Sequence, residues 1–200
     1  MKIISRILSY IFHPLLIPTW MVLLLLYSNP YAFEGMSVAV VIGIVAINTF
    51  MFPAIAILMM RKLALIDSVE IQDNKQRIIP LVATIIFYVW AYLAIRKTNF
   101  PYLMGVFMMG TLVSLFVSFF INVFYKLSLH MVGMAGALTA IMFQLLFSQT
   151  DLSYVFLAMI ILTGAVATAR LYLKTHTLQE VYTGFIVGMF GQLLGLFLYH

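Results

Sequence analysis

The stretch PYLMGVFMMGTLVSLFVSFFINVFY, residues 101–125, decides the fold class, because no charged side chain interrupts it. An α-helix of about twenty apolar residues crosses the roughly 30 Å of hydrocarbon in a bilayer. Further runs of this kind occur at about 7–28, 36–60, 78–95, 129–148, 152–173 and 177–199. The sequence therefore predicts an all-α fold, a polytopic transmembrane bundle of six to seven helices.

The composition of the 200-residue chain excludes a soluble globular protein. Hydrophobic residues make up 64% of the chain and charged residues 8%, whereas soluble domains carry about 25% charge. This length suits one domain, so residues 1–200 are expected to form a single integral membrane domain. The absence of cysteine excludes disulfides and thiolate metal ligands. We expect membrane lipids, and no nucleic acid, among its partners.

The breaks between the apolar runs alternate between the two faces of the membrane. The N-terminus, the charged loop 61–77, the junction 126–130 and the junction 170–177 therefore share one face. The other face has only short turns. Most of the polar chemistry of the chain is predicted to lie on the first of these faces.

Small residues in the last three helices recur at the four-residue spacing that lets helix backbones approach closely. The pairs are Gly133 with Ala137, Gly136 with Ala140, Gly164 with Thr168, Gly184 with Gly188, and Gly191 with Gly195. We expect these three helices to form the rigid core, although glycine is also common in transmembrane helices generally. Pro53 is expected to kink the second helix.

The segment RLYLKTHTLQE, from Arg170 to Glu180, places an arginine, a histidine and a carboxylate at the end of an apolar run. His176 and Glu180 are four residues apart, so on one helical turn the carboxylate can orient the imidazole as a nucleophile. Arg170 converges on His176 only if the helix breaks between them, and Lys174 is near the expected break. The alternative is a capping box starting at Thr177, in which the carboxylate binds backbone.

Two further clusters lie at segment ends on the same face. Ser128 is expected to cap the fifth helix and to place His130 in its first turn, where unpaired N–H groups and the helix dipole favour an anion. Lys75 and Arg77 add positive charge at the start of the third helix. Each cluster has an ordinary alternative: a lone histidine at a helix end is more often structural, and cations at a segment end are typical of membrane flanks.

In their order along the chain, these clusters resemble the signature of the type 2 phosphatidic acid phosphatase superfamily. The third motif of that family is serine-arginine, five residues, histidine, three residues and aspartate. Arg170 and His176 match it at the right spacing, with Glu180 in place of the aspartate and Ala169 in place of the serine. Of the second motif, proline-serine-glycine-histidine, the chain retains Ser128 and His130, with Leu129 at the glycine position.

The first motif of the family is lysine, six residues, arginine and proline, and here the match is weaker. Arg77 matches the arginine, whereas Glu70 stands at the lysine position and the proline is displaced to Pro80. Lys75 is the expected substitute for the lysine. The resemblance spans residues 70–180, and the third motif is its specific part.

The resemblance implies a metal-independent membrane phosphatase without a cofactor, which hydrolyses a lipid phosphate or diphosphate such as phosphatidic acid, phosphatidylglycerol phosphate or an isoprenyl diphosphate. His176 would attack phosphorus to form a phosphohistidine, and Glu180 would hold its ring. His130 would protonate the leaving group and then activate water. The residues expected to bind the phosphate oxygens are Arg170, Arg77, Lys75 and Ser128.

Two other functions remain open. Asp67, Glu70 and Asp73 recur every three residues and are a possible Mg²⁺ site of a metal-dependent transferase, although the sequence lacks the second acidic cluster that such sites usually need. The second is a non-catalytic lipid-binding or transport protein on the same scaffold. Release of inorganic phosphate without added metal distinguishes the phosphatase from both.

The charge distribution and the family resemblance indicate opposite membrane orientations. Of eleven Lys and Arg residues, only Arg96 and Lys97 fall on the face opposite the clusters, and the positive-inside rule then favours a cytoplasmic site. Bacterial members of the superfamily that the chain resembles mostly face the periplasm. By that resemblance we expect a bacterial-type cytoplasmic membrane with the site on the periplasmic side.

Overall fold

The computed structural model describes residues 2–35, 37–68, 74–98, 100–148 and 150–199, and within these ranges every regular element is a helix. The elements are α1 (Lys2–Ile11), α2 (Ile17–Ser28), a 3₁₀ turn (Pro30–Phe33), α3 (Val38–Ala46), a π-helical turn (Ile47–Met51), α4 (Phe52–Lys62), α5 (Asn74–Arg96), α6 (Tyr102–Phe124), α7 (Leu129–Phe147), α8 (Ser153–Tyr172) and α9 (Leu178–Leu198). Six spans in the described ranges are long and apolar enough to cross a membrane: α3 joined to α4, and α5 to α9 singly. The predicted all-α bundle is confirmed, and the chain is a multi-pass membrane protein.

The first apolar segment is broken, which differs from the single helix predicted over 7–28. A turn containing His13 and Pro14 separates α1 from α2, and proline disfavours helical backbone at the residue before it. At 12 residues, α2 is only about 18 Å long. The chain still passes from one face to the other, because the His13 ring contacts that of His130 at the start of α7 and Ser28 accepts a hydrogen bond from Gln144 near its end.

Helix α1 is amphipathic and packs along α8. Its exposed side carries isoleucines, whereas Ser5 and Ser9 are buried against the bundle. An apolar exposed face with basic residues is typical of a helix in the plane of the membrane interface. The placement of α1 brings the N-terminal residues to the face that holds the three sequence clusters.

The second apolar segment runs from Val38 to Lys62 as one span with a π-helical turn, Ile47–Met51, just before Pro53. Proline has no N–H for the helical ladder, and an interruption of this kind is a known cause of π-helical turns and bends. The irregularity expected at Pro53 thus takes the form of a wide turn. Within it, buried Thr49 donates a hydrogen bond to the Leu15 carbonyl at 3.4 Å.

Helix α9 lies between α6 and α7 and forms the most extensive helix contacts in the described part of the chain. A Cβ atom added to Gly188 would contact the Val132 backbone, and one added to Gly195 would lie 2.5 Å from the Gly110 Cα atom. Glycine is needed at these positions because any side chain would push the helices apart. The close packing predicted for the glycine pairs of α9 is confirmed.

The prediction that α8 belongs to the rigid core is wrong. No described atom lies within 4 Å of a Cβ atom built on Gly164, and Thr168 is exposed. Helix α8 also packs on α9 less extensively than α6 does. Spacing of small residues permits close packing but does not select the partner, and here α6 completes the core.

Helix α5 begins at Asn74, before the apolar run predicted from about residue 78, so Pro80 lies inside the helix. The Thr84 hydroxyl donates to the Pro80 carbonyl at 2.7 Å, so the threonine is bonded within its own helix. The part of α5 that precedes Pro80 therefore continues as helix toward the loop before it, and Arg77 lies in this part.

Candidate active site

The chain breaks between Arg170 and His176 as the sequence predicts. Helix α8 ends at Tyr172, and Lys174 adopts a positive φ of 54°. The N–H and hydroxyl of Thr175 both donate to the Arg170 carbonyl, at 3.3 and 3.1 Å, and close the turn. As a result Arg170 and His176 line the same cavity although they are too far apart in sequence to share a helix face.

His176 and Glu180 form the predicted pair, with 2.6 Å between Nδ1 and Oε2. The same carboxylate oxygen accepts the Thr177 N–H at 3.4 Å, and the Thr177 hydroxyl accepts the Glu180 N–H at 3.3 Å. The hydrogen-bonded His176–Glu180 pair and the capping box were alternatives from the sequence, but both are present. The capping box holds the carboxylate that orients the imidazole.

The surroundings of His176 favour its neutral form. Burial lowers the pKa of His176, and the positive charges of Arg170, Arg77 and Lys126 lower it further, while the hydrogen bond to Glu180 opposes them. A neutral ring that donates from Nδ1 to a carboxylate carries its lone pair on Nε2. No described residue forms a hydrogen bond with that Nε2, which suits a nucleophile.

The second cluster is placed differently from the prediction in one respect. Ser128 is the N-cap residue of α7, but its side chain forms no capping hydrogen bond. Its Oγ atom is buried without a hydrogen-bond partner among the described residues, and Ser128 does not line the cavity. Its N–H donates to the Glu180 carbonyl at 3.1 Å, so Ser128 joins α7 to α9 through backbone.

His130 lies in the first turn of α7, as predicted, and its Nε2 is 3.1 Å from the Ser9 carbonyl. Because a carbonyl only accepts, Nε2 carries the proton, and the lone pair of the neutral ring is on Nδ1. Ser9 also accepts a hydrogen bond from Arg170 Nη1 through its hydroxyl, at 3.2 Å. One residue of α1 thus connects the histidine of one cluster with the arginine of another.

Of the two cations in the first cluster, only Arg77 reaches the site. Arg77 lines the cavity and donates from Nη1 to the Leu127 carbonyl at 3.2 Å. Lys75 is exposed and does not line it. Lys126 does line it, and its ammonium donates to the Thr175 carbonyl at 3.1 Å. Lys126, and not Lys75, is therefore the lysine of these segments that lines the cavity.

Partial burial lowers the pKa of Lys126, and Arg77 and Arg170 lower it too, while Glu180 raises it. These opposing charges show that Lys126 belongs electrostatically to the same cluster. The sequence pattern alone would have made it a snorkelling flank residue.

The sequence motifs also missed the contribution of α1 and the turn after it. Arg6, Ser9 and His13 line the cavity. The available signal was His13 inside an apolar run, which is unusual for a plain membrane span, with Arg6 just before that run. Their proximity to α7 and α8 results from tertiary packing, which cannot be inferred from the local sequence.

The cavity has a volume of about 830 Å³, within the range of about 300–1,000 Å³ that is usual for ligand sites. At the face of the bundle it is lined by the cations and histidines described above. Its deeper part lies between α2, α6, α7 and α9, where the lining includes Phe107, Leu115, Gly136 and Gln192. A polar mouth over a largely apolar interior suits an amphipathic ligand.

The acidic residues of the 61–77 loop are only partly described. The Asp67 carboxylate accepts a hydrogen bond from the Gln76 side-chain amide. Glu70 and Asp73 lie outside the described residues. Within the described ranges, no group of three or more histidine, aspartate or glutamate side chains has the arrangement of a metal site.

The site therefore brings an oriented imidazole, two further imidazoles and several cations around one cavity. Comparisons of the chain with protein-family models, curated proteins and solved structures gave no match. The function is inferred from the chemistry of these residues, which can attack, bind and protonate a phosphoryl group.

Proposed function

We propose that the protein is a metal-independent membrane phosphatase that hydrolyses a lipid phosphate or diphosphate through a phosphohistidine. One observation carries the proposal: His176 is held at Nδ1 by Glu180 while it lines a cavity that Arg77, Arg170 and Lys126 also line. A neutral, oriented imidazole among cations is suited to attack an anionic phosphorus centre.

In the first step, His176 Nε2 attacks phosphorus, and the bond from phosphorus to the leaving oxygen breaks. Glu180 stabilises the positive charge that develops on the ring, as a carboxylate does for a catalytic histidine. Arg170, Arg77 and Lys126 bind the non-bridging oxygens, where negative charge grows in the transition state. Arginine contributes a planar fork of donors and lysine a point charge.

His130 is the proposed proton carrier. Its Nε2 proton is donated to Ser9, so Nδ1 is the nitrogen left to exchange a proton with the substrate. Protonated at Nδ1, His130 gives that proton to the leaving alkoxide or phosphate. Neutral again, it removes a proton from water, which attacks the phosphohistidine and releases inorganic phosphate and free His176.

The substrate is proposed to be a lipid because the cavity opens among membrane-spanning helices and continues into an apolar interior. A phosphate at the mouth and an apolar chain within or beside the bundle would satisfy both parts of the lining. The candidates are phosphatidic acid, phosphatidylglycerol phosphate, isoprenyl diphosphate and a phosphorylated lipid A.

The test is a panel assay with purified protein, these four lipids and excess chelator, with release of inorganic phosphate as the measured quantity. We expect at least one lipid to be hydrolysed in chelator, and vanadate, which mimics five-coordinate phosphorus, to inhibit. Activity that disappears in chelator and returns with Mg²⁺ would favour the carboxylate site instead. Lipid binding without phosphate release from any substrate would favour the non-catalytic alternative.

The proposed location is a bacterial-type cytoplasmic membrane with the site on the periplasmic side. The chain has no cysteine, so single cysteines introduced at Ser68 and Thr98, on opposite faces, can be labelled with an impermeant thiol reagent. In cells with a permeabilised outer membrane, we expect labelling at position 68 and protection at position 98. The reverse pattern would place the site in the cytoplasm, as the charge count favours.

A further inference from the structure

His13 lies beside the proposed proton carrier but outside the three sequence clusters. Its ring meets that of His130 edge to face, with 5.4 Å between centroids and an interplanar angle of 81°. His13 also lines the cavity, together with Arg170 and His176. The turn between α1 and α2 thus places a third imidazole at the mouth of the site.

The hydrogen bonding of His13 determines which nitrogen carries its proton. The Leu15 N–H donates to His13 Nδ1 at 3.3 Å, so this nitrogen bears the lone pair. Burial lowers the pKa of His13 to about 4, and the positive charge of Arg170 contributes. The ring is therefore neutral at pH 7, and its proton is on Nε2. No described residue accepts a hydrogen bond from that Nε2–H.

The turn that carries His13 is held from several sides. The Tyr88 hydroxyl donates to the Pro14 carbonyl at 3.5 Å, and Thr49 donates to the Leu15 carbonyl at 3.4 Å. Helix α7 packs closely on the end of this turn, because a Cβ atom added to Gly133 would lie 3.2 Å from Ile17 Cγ1 and 3.5 Å from the Pro14 Cα atom. A donor on such a turn is positioned before substrate arrives, which limits the entropy lost on binding.

We propose that His13 is a phosphate-binding residue whose Nε2–H donates to a non-bridging phosphoryl oxygen of the substrate. This inference rests on the proposed function, since it assigns a further contact at the same site. A neutral donor suits the position because Arg170 and Arg77 already supply positive charge, and another cation would repel them. The ligand class is a tetrahedral oxyanion, either the headgroup of a lipid phosphate or free inorganic phosphate.

The experiment distinguishes the effect of the His13 N–H donor from the effect of its aromatic ring. His13→Gln keeps an N–H donor on a side chain of similar reach, whereas His13→Phe keeps an aromatic ring against His130 and removes the donor. Thr84→Val is the matched control, because Thr84 also lines the cavity but its hydroxyl hydrogen is bonded to Pro80. Each variant is purified in detergent, and its thermal unfolding is compared with that of the wild type.

The readouts are the Kd of orthovanadate by calorimetry and the KM for a short-chain phosphatidic acid. Loss of a hydrogen bond to a charged group corresponds to a loss of about tenfold or more in affinity. We expect His13→Phe to weaken vanadate binding and raise KM by about that factor, His13→Gln to recover most of the loss, and Thr84→Val to match the wild type. If His13→Phe unfolds, His13→Met gives the same comparison.

The outcomes distinguish this inference from the proposed function. Equal vanadate affinity in the wild type and a folded His13→Phe or His13→Met variant would overturn the role of His13 while leaving the phosphatase intact. Weakened vanadate binding in these variants, with no phosphate release from the wild type, would support the role of His13 and reject the phosphatase. A wild type that binds neither vanadate nor inorganic phosphate would reject both.

Discussion

The same helices form both ends of the bundle, but the side chains at the two ends differ. At one end, the start of α9 brings His176 beside a cavity that Arg170 also lines. At the other end, Tyr199 follows α9 and packs on Tyr92 and Tyr102, with ring centroids 6.2 and 5.4 Å apart. The aromatic end fills space with rings, whereas the polar end keeps a cavity open among ionisable groups.

This difference is informative because packed aromatic rings and clustered ionisable groups affect the stability of the fold in different ways. Aromatic packing stabilises a fold without special requirements, whereas ionisable groups near a membrane are costly and usually functional. Gly105, at the aromatic end, leaves room for the Tyr199 ring, since an added Cβ atom would overlap it. The polar end lacks such packing and has an open cavity instead, as is expected of a site that binds a ligand.

The largest expected effect follows from removing a polar-end imidazole. His130→Ala should reduce kcat by about 10²- to 10⁴-fold, because general acid–base catalysis is lost. Tyr102→Phe, at the aromatic end, removes a hydroxyl that donates to the Tyr199 carbonyl at 3.4 Å and should leave kcat unchanged. Phosphate release under saturating lipid measures both. Comparable losses in the two variants would mean that general destabilisation explains the effect.

The second prediction concerns the glycine contacts that join the two ends. Gly188→Leu should prevent α9 from packing on α7, because an added Cβ atom already meets the Val132 backbone. Gly164→Leu, on α8, has open space around it and should be tolerated. Thermal unfolding in detergent should show a large loss of stability only for the first variant. Equal melting temperatures would contradict the packing of α9.

The third prediction tests which lysine belongs to the polar end. Lys126→Ala should raise KM about tenfold, because a charge-assisted contact to the substrate phosphate is lost. Lys75→Ala should change KM little, since Lys75 is exposed and does not line the cavity. Steady-state kinetics with one lipid phosphate compares them. A larger effect at Lys75 would restore the assignment made from the sequence.

The smallest expected effect is a dependence on pH. Because the pKa of His176 is lowered from 6.5, kcat/KM should hold from pH 7 to below pH 6.5 and fall only at more acidic pH. Stability should follow the same sign: below about pH 6.5 the unfolded chain binds a proton that the folded chain does not, so stability decreases as pH falls. A kinetic midpoint above 6.5 would contradict a neutral His176.

The third sequence cluster was predictable because its geometry is local. The four-residue spacing of His176 and Glu180 predicted a contact on a shared helix face, and the pattern from Thr177 predicted a capping box. Both contacts of Glu180 are present. Helix α9 begins only at Leu178, so His176 precedes the helix, and the capping turn brings the carboxylate to its ring. Local chemistry of this kind is recorded in the sequence itself.

Long-range placement was not predictable in the same way. Lys126 and Lys75 are both cations at segment ends, and only the packing of α5, α7 and α9 shows which one reaches the cavity. Ser9 and His13 lie in a run that hydropathy alone joins into one helix, so their contacts with Arg170 and His130 were hidden. What decides these positions is the relative placement of helices, which residue spacing does not encode.

The most direct test of the central claim is to trap the covalent intermediate on His176. Purified protein is mixed with a lipid carrying ³²P in its terminal phosphate and quenched in alkali within the first turnover. We expect labelled protein whose label is stable in base and released in acid, as is typical of phosphohistidine, and no label in His176→Ala. Undiminished label in His176→Ala, or phosphate release by that variant at the wild-type rate, would contradict it.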